Sequence, residues 1–96
     1  MNYNFDWDPE KARRNRRKHG VGFEQAATVF GDPRALCVHD EEHSTGEDRW
    51  VTLGLSASGG VVVVHHTFEE VDATTVRIRI FSARKATKRE IAAYTE

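Results

Sequence analysis

The chain has 96 residues, 39% of them apolar and 30% charged, with one cysteine and a formal net charge of −1. This describes one small soluble domain spanning residues 1–96, whose core buries somewhat over ~60% of the surface exposed by the unfolded chain. No run approaches the ~18 apolar residues of a membrane span. No signal-peptide pattern opens the chain, and the lone Cys37 excludes an internal disulfide and the cysteine-rich zinc sites, so a cytoplasmic protein is expected.

Asn2–Trp7 reads as a first strand with Tyr3, Phe5 and Trp7 on one face. Asp8-Pro9 supplies an N-cap followed by proline at the first helical position, and Gly20 supplies the left-handed residue that ends the helix near His19. Ala12 is the one apolar residue in that helix, which must rest on the surface through the aliphatic stems of its arginines. Phe23–Phe30 places Phe23, Ala26, Ala27 and Phe30 at helical spacing and is the core-facing helix, ended by Gly31-Asp32-Pro33.

Arg34–His39 follows as a strand, with Cys37 a buried strand residue; Asp40–Glu47 is an acidic loop. Arg49–Ala57 and Val61–Phe68 are strands joined by a hairpin turn at Ser58-Gly59-Gly60. The run Val61 to Val64 is apolar on both faces and belongs to a central strand. After a turn at Glu69–Thr74 comes the last strand, Thr75–Ser82, with Val76, Ile78 and Ile80 on one face and Arg77 and Arg79 on the other. Thr87 and Glu90 then form a capping box for a C-terminal helix. The order is βααββββα: an α+β domain with helices packed on an antiparallel sheet.

Charge is segregated along the chain. Lys11, Arg13, Arg14, Arg16, Arg17 and Lys18 form one block, and Arg77, Arg79, Arg84, Lys85, Lys88 and Arg89 a second, neither containing an acid. Two such blocks on a nearly neutral protein imply a positive face and an anionic partner. A guanidinium on a rigid strand can hold a phosphate through two hydrogen bonds, so the second block reads as a phosphodiester cradle. The plainer alternative pairs Arg77 and Arg79 across the sheet with Glu69 or Glu70.

Glu47 and Arg49, two residues apart, can share one side of a strand rim. His19, near a helix C-terminus, favours its cationic form. For Glu47, His19 and Tyr94 ordinary structural roles compete: an acid in an acidic loop, a carbonyl cap, a ring on the sheet edge. His39, His43, His65, His66 and Asp40 lack metal-site spacing, and His65 and His66 point to opposite strand faces, so no metal is expected. No cofactor motif is present.

Several separated motifs together resemble the BrnT family of bacterial toxins. They are Trp7-Asp8 with Lys11 and Asn15, Lys18-His19-Gly20, Phe23-Glu24-x-Ala26, Glu47-x-Arg49 with Gly54, Arg79-Ile80-x-Ser82-Ala83-Arg84, Glu90 and Tyr94. The resemblance runs almost end to end. It implies a RelE-like fold and a ribonuclease that halts translation as the toxin of a type II toxin–antitoxin pair. It also implies a cognate BrnA-like antitoxin with a ribbon-helix-helix DNA-binding part, and contact with promoter DNA only through that antitoxin. Phe81 stands where the family usually has a smaller aliphatic residue, a packing variation, and His65-His66 is unusual.

RNA carries its own nucleophile, the ribose 2′-hydroxyl. A metal-independent endoribonuclease therefore needs a base for that hydroxyl, positive charge for the phosphorane-like transition state, and an acid for the leaving 5′-oxygen. The resemblance and the charge pattern assign transition-state charge to Arg79 and Arg49, the base to Glu47 or His19, and an orienting or proton-donating role to Tyr94. Arg84, Lys85, Lys88, Arg77, Lys18, Arg14 and Arg17 are assigned to RNA binding. A non-catalytic RNA-binding or interaction module with a basic face is the competing reading. An exposed sheet edge leaves both a homodimer and a heterotetramer with the antitoxin open.

Overall fold

A computed structural model describes all 96 residues. Helix α1 (Pro9–His19) starts and stops where its capping residues dictate. The Asp8 carboxylate accepts the Glu10 N–H at 2.9 Å, and Gly20, at φ +73°, donates its N–H to the Arg16 carbonyl. Helix α2 (Phe23–Ala27) is shorter than the periodicity predicts, because Thr28–Gly31 tightens into a 3₁₀ turn. The Thr28 hydroxyl donates back to the Gln25 carbonyl and accepts the Ala57 N–H, which ties this turn to the chain leaving the third strand.

The strands are β1 (Asn2–Asp6), β2 (Leu36–His39), β3 (Trp50–Leu55), β4 (Val61–His66), β5 (Glu69–Glu70) and β6 (Thr75–Lys85). They form one sheet in the order β1-β6-β4-β3-β2, with β5 also paired to β6, and helix α3 (Lys88–Tyr94) closes the chain. The α+β class and the βααβ… order agree with the sequence reading, apart from the extra two-residue strand β5 within the predicted turn. The sheet is not antiparallel throughout: β1 runs parallel to β6, with Asp6 opposite Arg79. Side-chain alternation reports which face a strand buries, not the direction of its neighbour.

The core lies between the helices and one sheet face. Val21, Phe23, Ala26 and Val29 meet Val62, Val64, Val76, Ile78, Ile80 and Ala83, with Phe5, Trp7 and Phe30 at its margin. Phe23 is fully buried, and truncating it to alanine costs about 3–5 kcal/mol by precedent for large-to-small core changes. Gly54 is required by packing: a Cβ there would sit 2.7 Å from Val29 Cγ1. The all-valine start of β4 is central as expected, and Val63, outside the main core cluster, is buried as well. Cys37 is not buried; it lies exposed on β2, an edge strand whose residues are exposed on both faces.

One irregularity shapes the face beside α1. The β4–β6 ladder pairs His65 with Ser82 but His66 with Ile80, leaving Phe81 as an extra residue. Burial along β6 therefore runs Val76, Ile78, Ile80 and then Ala83. Strict alternation would have turned Ser82 and Arg84 into the core. The bulge reverses the phase, keeps both polar side chains out, and leaves Phe81 and Ser82 together half-buried at the surface. No helix is long and apolar enough to cross a membrane.

Candidate functional site

β1 pairs with β6 only as far as Arg79. Beyond that point the β6 backbone needs another partner, because a buried N–H or C=O left without one is costly. Asn15 of α1 supplies it. Its Nδ2 donates to the Ala83 carbonyl at 2.8 Å and to the Val21 carbonyl at 3.0 Å, while Ala83 N–H donates to its Oδ1 at 3.2 Å. The amide thus stands in for a neighbouring strand. As the sole buried residue of α1, it fixes the basic helix beside the bulge.

Lys11, Arg14, Asn15, Lys18 and His19 consequently line a cavity of about 350 Å³ with Phe81 and Ser82. On the other side of the same two residues lies a cavity of about 230 Å³ lined by Asp40, His43, Arg49 and His65. Phe81 is the shared wall: the Arg49 guanidinium carbon lies 4.2 Å from its ring centroid and Lys11 Nζ 5.6 Å. Phe81 is therefore a surface platform under two cations, not the packing variation expected. The two cavities form one groove across the bulge, with four Lys/Arg side chains against the single carboxylate of Asp40. Arg49 has Glu47 3.7 Å away at the rim, and Lys11, Arg14 and Lys18 make no salt bridge. The half-buried His65 has its pKa pushed down, by burial first and then by Arg84.

A larger cavity, about 560 Å³, has the opposite character. Arg77 and Arg79 face Asp6, Glu47, Asp48, Glu69 and Glu70 there. Arg79 is paired with Asp6 at 2.5 Å, and Arg77 with Glu69 at 3.4 Å, its opposite residue on β5. Five carboxylates against two guanidiniums repel a phosphodiester.

Arg84 is also engaged. Its two guanidinium nitrogens donate to the two Glu90 oxygens at 2.7 and 2.9 Å, the strong bidentate form. That hydrogen bond raises the Arg84 pKa and, with the Thr87 N–H, holds Glu90 down at about 2. Glu90 completes the predicted capping box with Thr87 at the start of α3. Tyr94 donates to Asp32, whose carboxylate also accepts the Leu55 and Arg34 N–H groups. The Tyr94 phenol is pushed up chiefly by that bond. This puts Tyr94 at the Leu55 end of β3, roughly 20 Å along the strand from Arg49 at ~3.3 Å per residue.

The structure thus gathers Arg49, His19, Lys18 and Arg14 in one groove, while Glu47, 3.7 Å from Arg49, lines the acidic cavity. It places Arg77 and Arg79 in the acidic cavity, ties Arg84 to Glu90 of α3, and ties Tyr94 of α3 to Asp32. Lys85 and Lys88, beyond the bulge, and Arg17 on α1 make no salt bridge and line none of these three cavities. Asn15, His43, His65 and Phe81 are groove residues that the sequence reading did not single out as a site. One signal was available for Phe81: unbroken alternation would have buried both Ser82 and Arg84.

The match to a family model for the ribonuclease toxin BrnT of type II toxin–antitoxin systems covers residues 7–90. No curated protein sequence matches the chain. Among solved structures, it is similar to the Brucella abortus ribonuclease toxin BrnT, with a TM-score of 0.59 and 21% identity over 92% of this chain and 100% of that one. At that identity the likeness speaks for the fold, while the family match covers most of the sequence. The chain belongs to the BrnT family of ribonuclease toxins of type II toxin–antitoxin systems.

Proposed function

We propose that the chain is a metal-independent endoribonuclease whose site is the groove across the Phe81–Ser82 bulge. It cleaves RNA in the cytoplasm, so inhibits translation, and is neutralised by a BrnA-like antitoxin with a ribbon-helix-helix DNA-binding part. The observation that carries this reading is the convergence of Lys11, Arg14, Lys18 and Arg49 on one half-buried aromatic residue, with His19 and Glu47 beside them.

Lysines and arginines on α1 track the RNA backbone, and the Phe81 edge offers a surface for a base or ribose. Arg49 is held by the Phe81 ring and sits where charge develops on the phosphorane. The 2′-hydroxyl proton passes to Glu47, 3.7 Å from Arg49, or to His19, which lines the cavity with Lys11, Arg14 and Lys18. Arg79 acts at a distance at most, since RNA would have to displace Asp6 to reach it.

The test is incubation of purified chain with RNA in EDTA, followed by end-group analysis. Cleavage leaving a 2′,3′-cyclic phosphate and a 5′-hydroxyl is expected. Salt-sensitive binding without cleavage would instead favour a non-catalytic RNA-binding module.

A further inference from the structure

Resting on that ribonuclease reading, we infer that His43, oriented by Asp40, is the proton donor to the leaving 5′-oxygen. Transfer of a phosphodiester to its own 2′-oxygen requires two proton movements, and Glu47 or His19 accounts for only one of them. The second group must face the same phosphorus from the leaving-group side.

The loop between β2 and β3 is built to provide it. Asp40 N–H donates to the Arg49 carbonyl at 2.8 Å, closing the loop neck. Ser44 Oγ braces the neck, accepting the Arg49 N–H at 2.9 Å and donating to the Asp40 carbonyl at 2.6 Å. Asp40 and Arg49 are therefore fixed across from each other. The 3₁₀ turn Glu41–His43 then folds the imidazole back, so that its Nδ1 meets Asp40 Oδ2 at 2.9 Å.

A carboxylate accepts and never donates when ionised, so Nδ1 carries a proton and Nε2 is the free ring nitrogen. The side chain of Asp40 is only 14% exposed and that of His43 is 62% exposed, which leaves the oriented ring open to the groove. Burial pulls the Asp40 carboxyl up, but its hydrogen bond and charge interaction with His43 outweigh this and hold it below the usual range. The pairing with Asp40 fixes the ring so that Nε2, the nitrogen that would face O5′, is not tied up by the carboxylate.

In the step itself, the 2′-oxygen bonds to phosphorus as the bond from phosphorus to O5′ breaks. The Nε2 proton of His43 passes to O5′, and the 2′-hydroxyl proton goes to Glu47 or His19. A 2′,3′-cyclic phosphate and a 5′-hydroxyl result, with all atoms and charges accounted for. The charged groups around the donor are Asp40, Glu41 and Glu42 on its own loop, Arg49 at the neck and His65 from β4, with Arg84 and Glu90 beyond His65; the β6 residues facing it, Phe81 and Ser82, are uncharged.

Leaving-group replacement separates proton donation from a merely structural brace. His43→Gln is compared with the unmodified protein on RNA and on the same RNA with a bridging 5′-sulfur, whose thiolate departs without a proton. On ordinary RNA a loss of about 10²–10⁴-fold is expected, the usual worth of a positioned acid. On the sulfur-linked substrate the variant should run near the unmodified rate. An equal loss on both substrates, or none on either, overturns the assignment. Should the unmodified chain cleave neither substrate, the ribonuclease reading itself fails. Asp40 is a positioning residue: Asp40→Asn should slow cleavage of ordinary RNA while leaving the sulfur-linked substrate near the unmodified rate, and an equal loss on both substrates, or none on either, removes it from the mechanism.

Discussion

Replacing Asn15 with alanine should destabilise the protein far more than its place on a charged surface helix suggests. The side chain is 8% exposed, and it bonds the N–H and C=O of fully buried Ala83 together with the carbonyl of fully buried Val21. Each buried polar group left without a partner costs about 1–3 kcal/mol. Water entering from the adjoining cavity will satisfy some of them, so a net loss of about 2–5 kcal/mol is expected. That is a large part of the 5–15 kcal/mol typical of a domain. Asn15→Asp should be at least as damaging, because a carboxylate would face two carbonyl oxygens where the amide donates. Urea unfolding followed by circular dichroism measures both, with the midpoint falling and the slope unchanged. A loss below about 1 kcal/mol for alanine, or an aspartate variant as stable as the parent, would refute the idea that this amide replaces a strand.

Three further outcomes follow from named contacts. His66 is fully buried against Phe30 and is bonded to Thr52 and the Thr67 carbonyl; burial pushes its pKa down to about 4. The unfolded chain takes up this proton near pH 6.5 and the folded chain only near 4, so stability falls as pH drops through that window, by up to about 3 kcal/mol; unfolding midpoints across the window should show this slope, and His66→Gln should flatten it. Tyr94→Phe should keep RNA cleavage within a few-fold of normal, against the about 10²–10⁴-fold that loss of a proton donor costs; a rate assay giving the larger loss would return Tyr94 to the site. Replacing Lys11, Arg14 and Lys18 together with alanine should weaken RNA binding and flatten its salt dependence by up to about 2 in the logarithmic slope, at ~0.7 per lost contact on a single strand. An unchanged slope would move the RNA elsewhere.

Local chemistry made much of this fold readable. Asp8, Pro9 and Gly20 bound α1, Thr87 and Glu90 start α3, and the valine run of β4 marks the sheet centre, because each acts within a few residues. Those features that escaped depend on long-range pairing. For Arg79 the alternative offered was Glu69 or Glu70, whereas its partner, Asp6, is brought opposite by a parallel pairing between the first and last strands. The cross-strand alternative for Arg77 was foreseen, with Glu69 as its partner.

The bulge is intermediate between these cases. Ser82 and Arg84 conflict with unbroken alternation, yet only the ladder shows the slip falling at Phe81. Asn15 is among the residues that carry the family resemblance, but its structural role is not legible: within a run of arginines it looks like one more polar surface residue, and its role depends on where β1 stops.

The placement of the site at the bulge rests on Arg49 rather than Arg79 bearing the transition-state charge. The direct measurement is the RNA cleavage rate in EDTA of Arg49→Ala beside Arg79→Ala, each confirmed folded. Arg49→Ala should lose about 10²–10³-fold, as expected for removing a preorganised charge-stabilising group, while Arg79→Ala stays within tenfold. The reverse order, with Arg79→Ala inactive and Arg49→Ala nearly normal, would place the chemistry in the acidic cavity and contradict the groove.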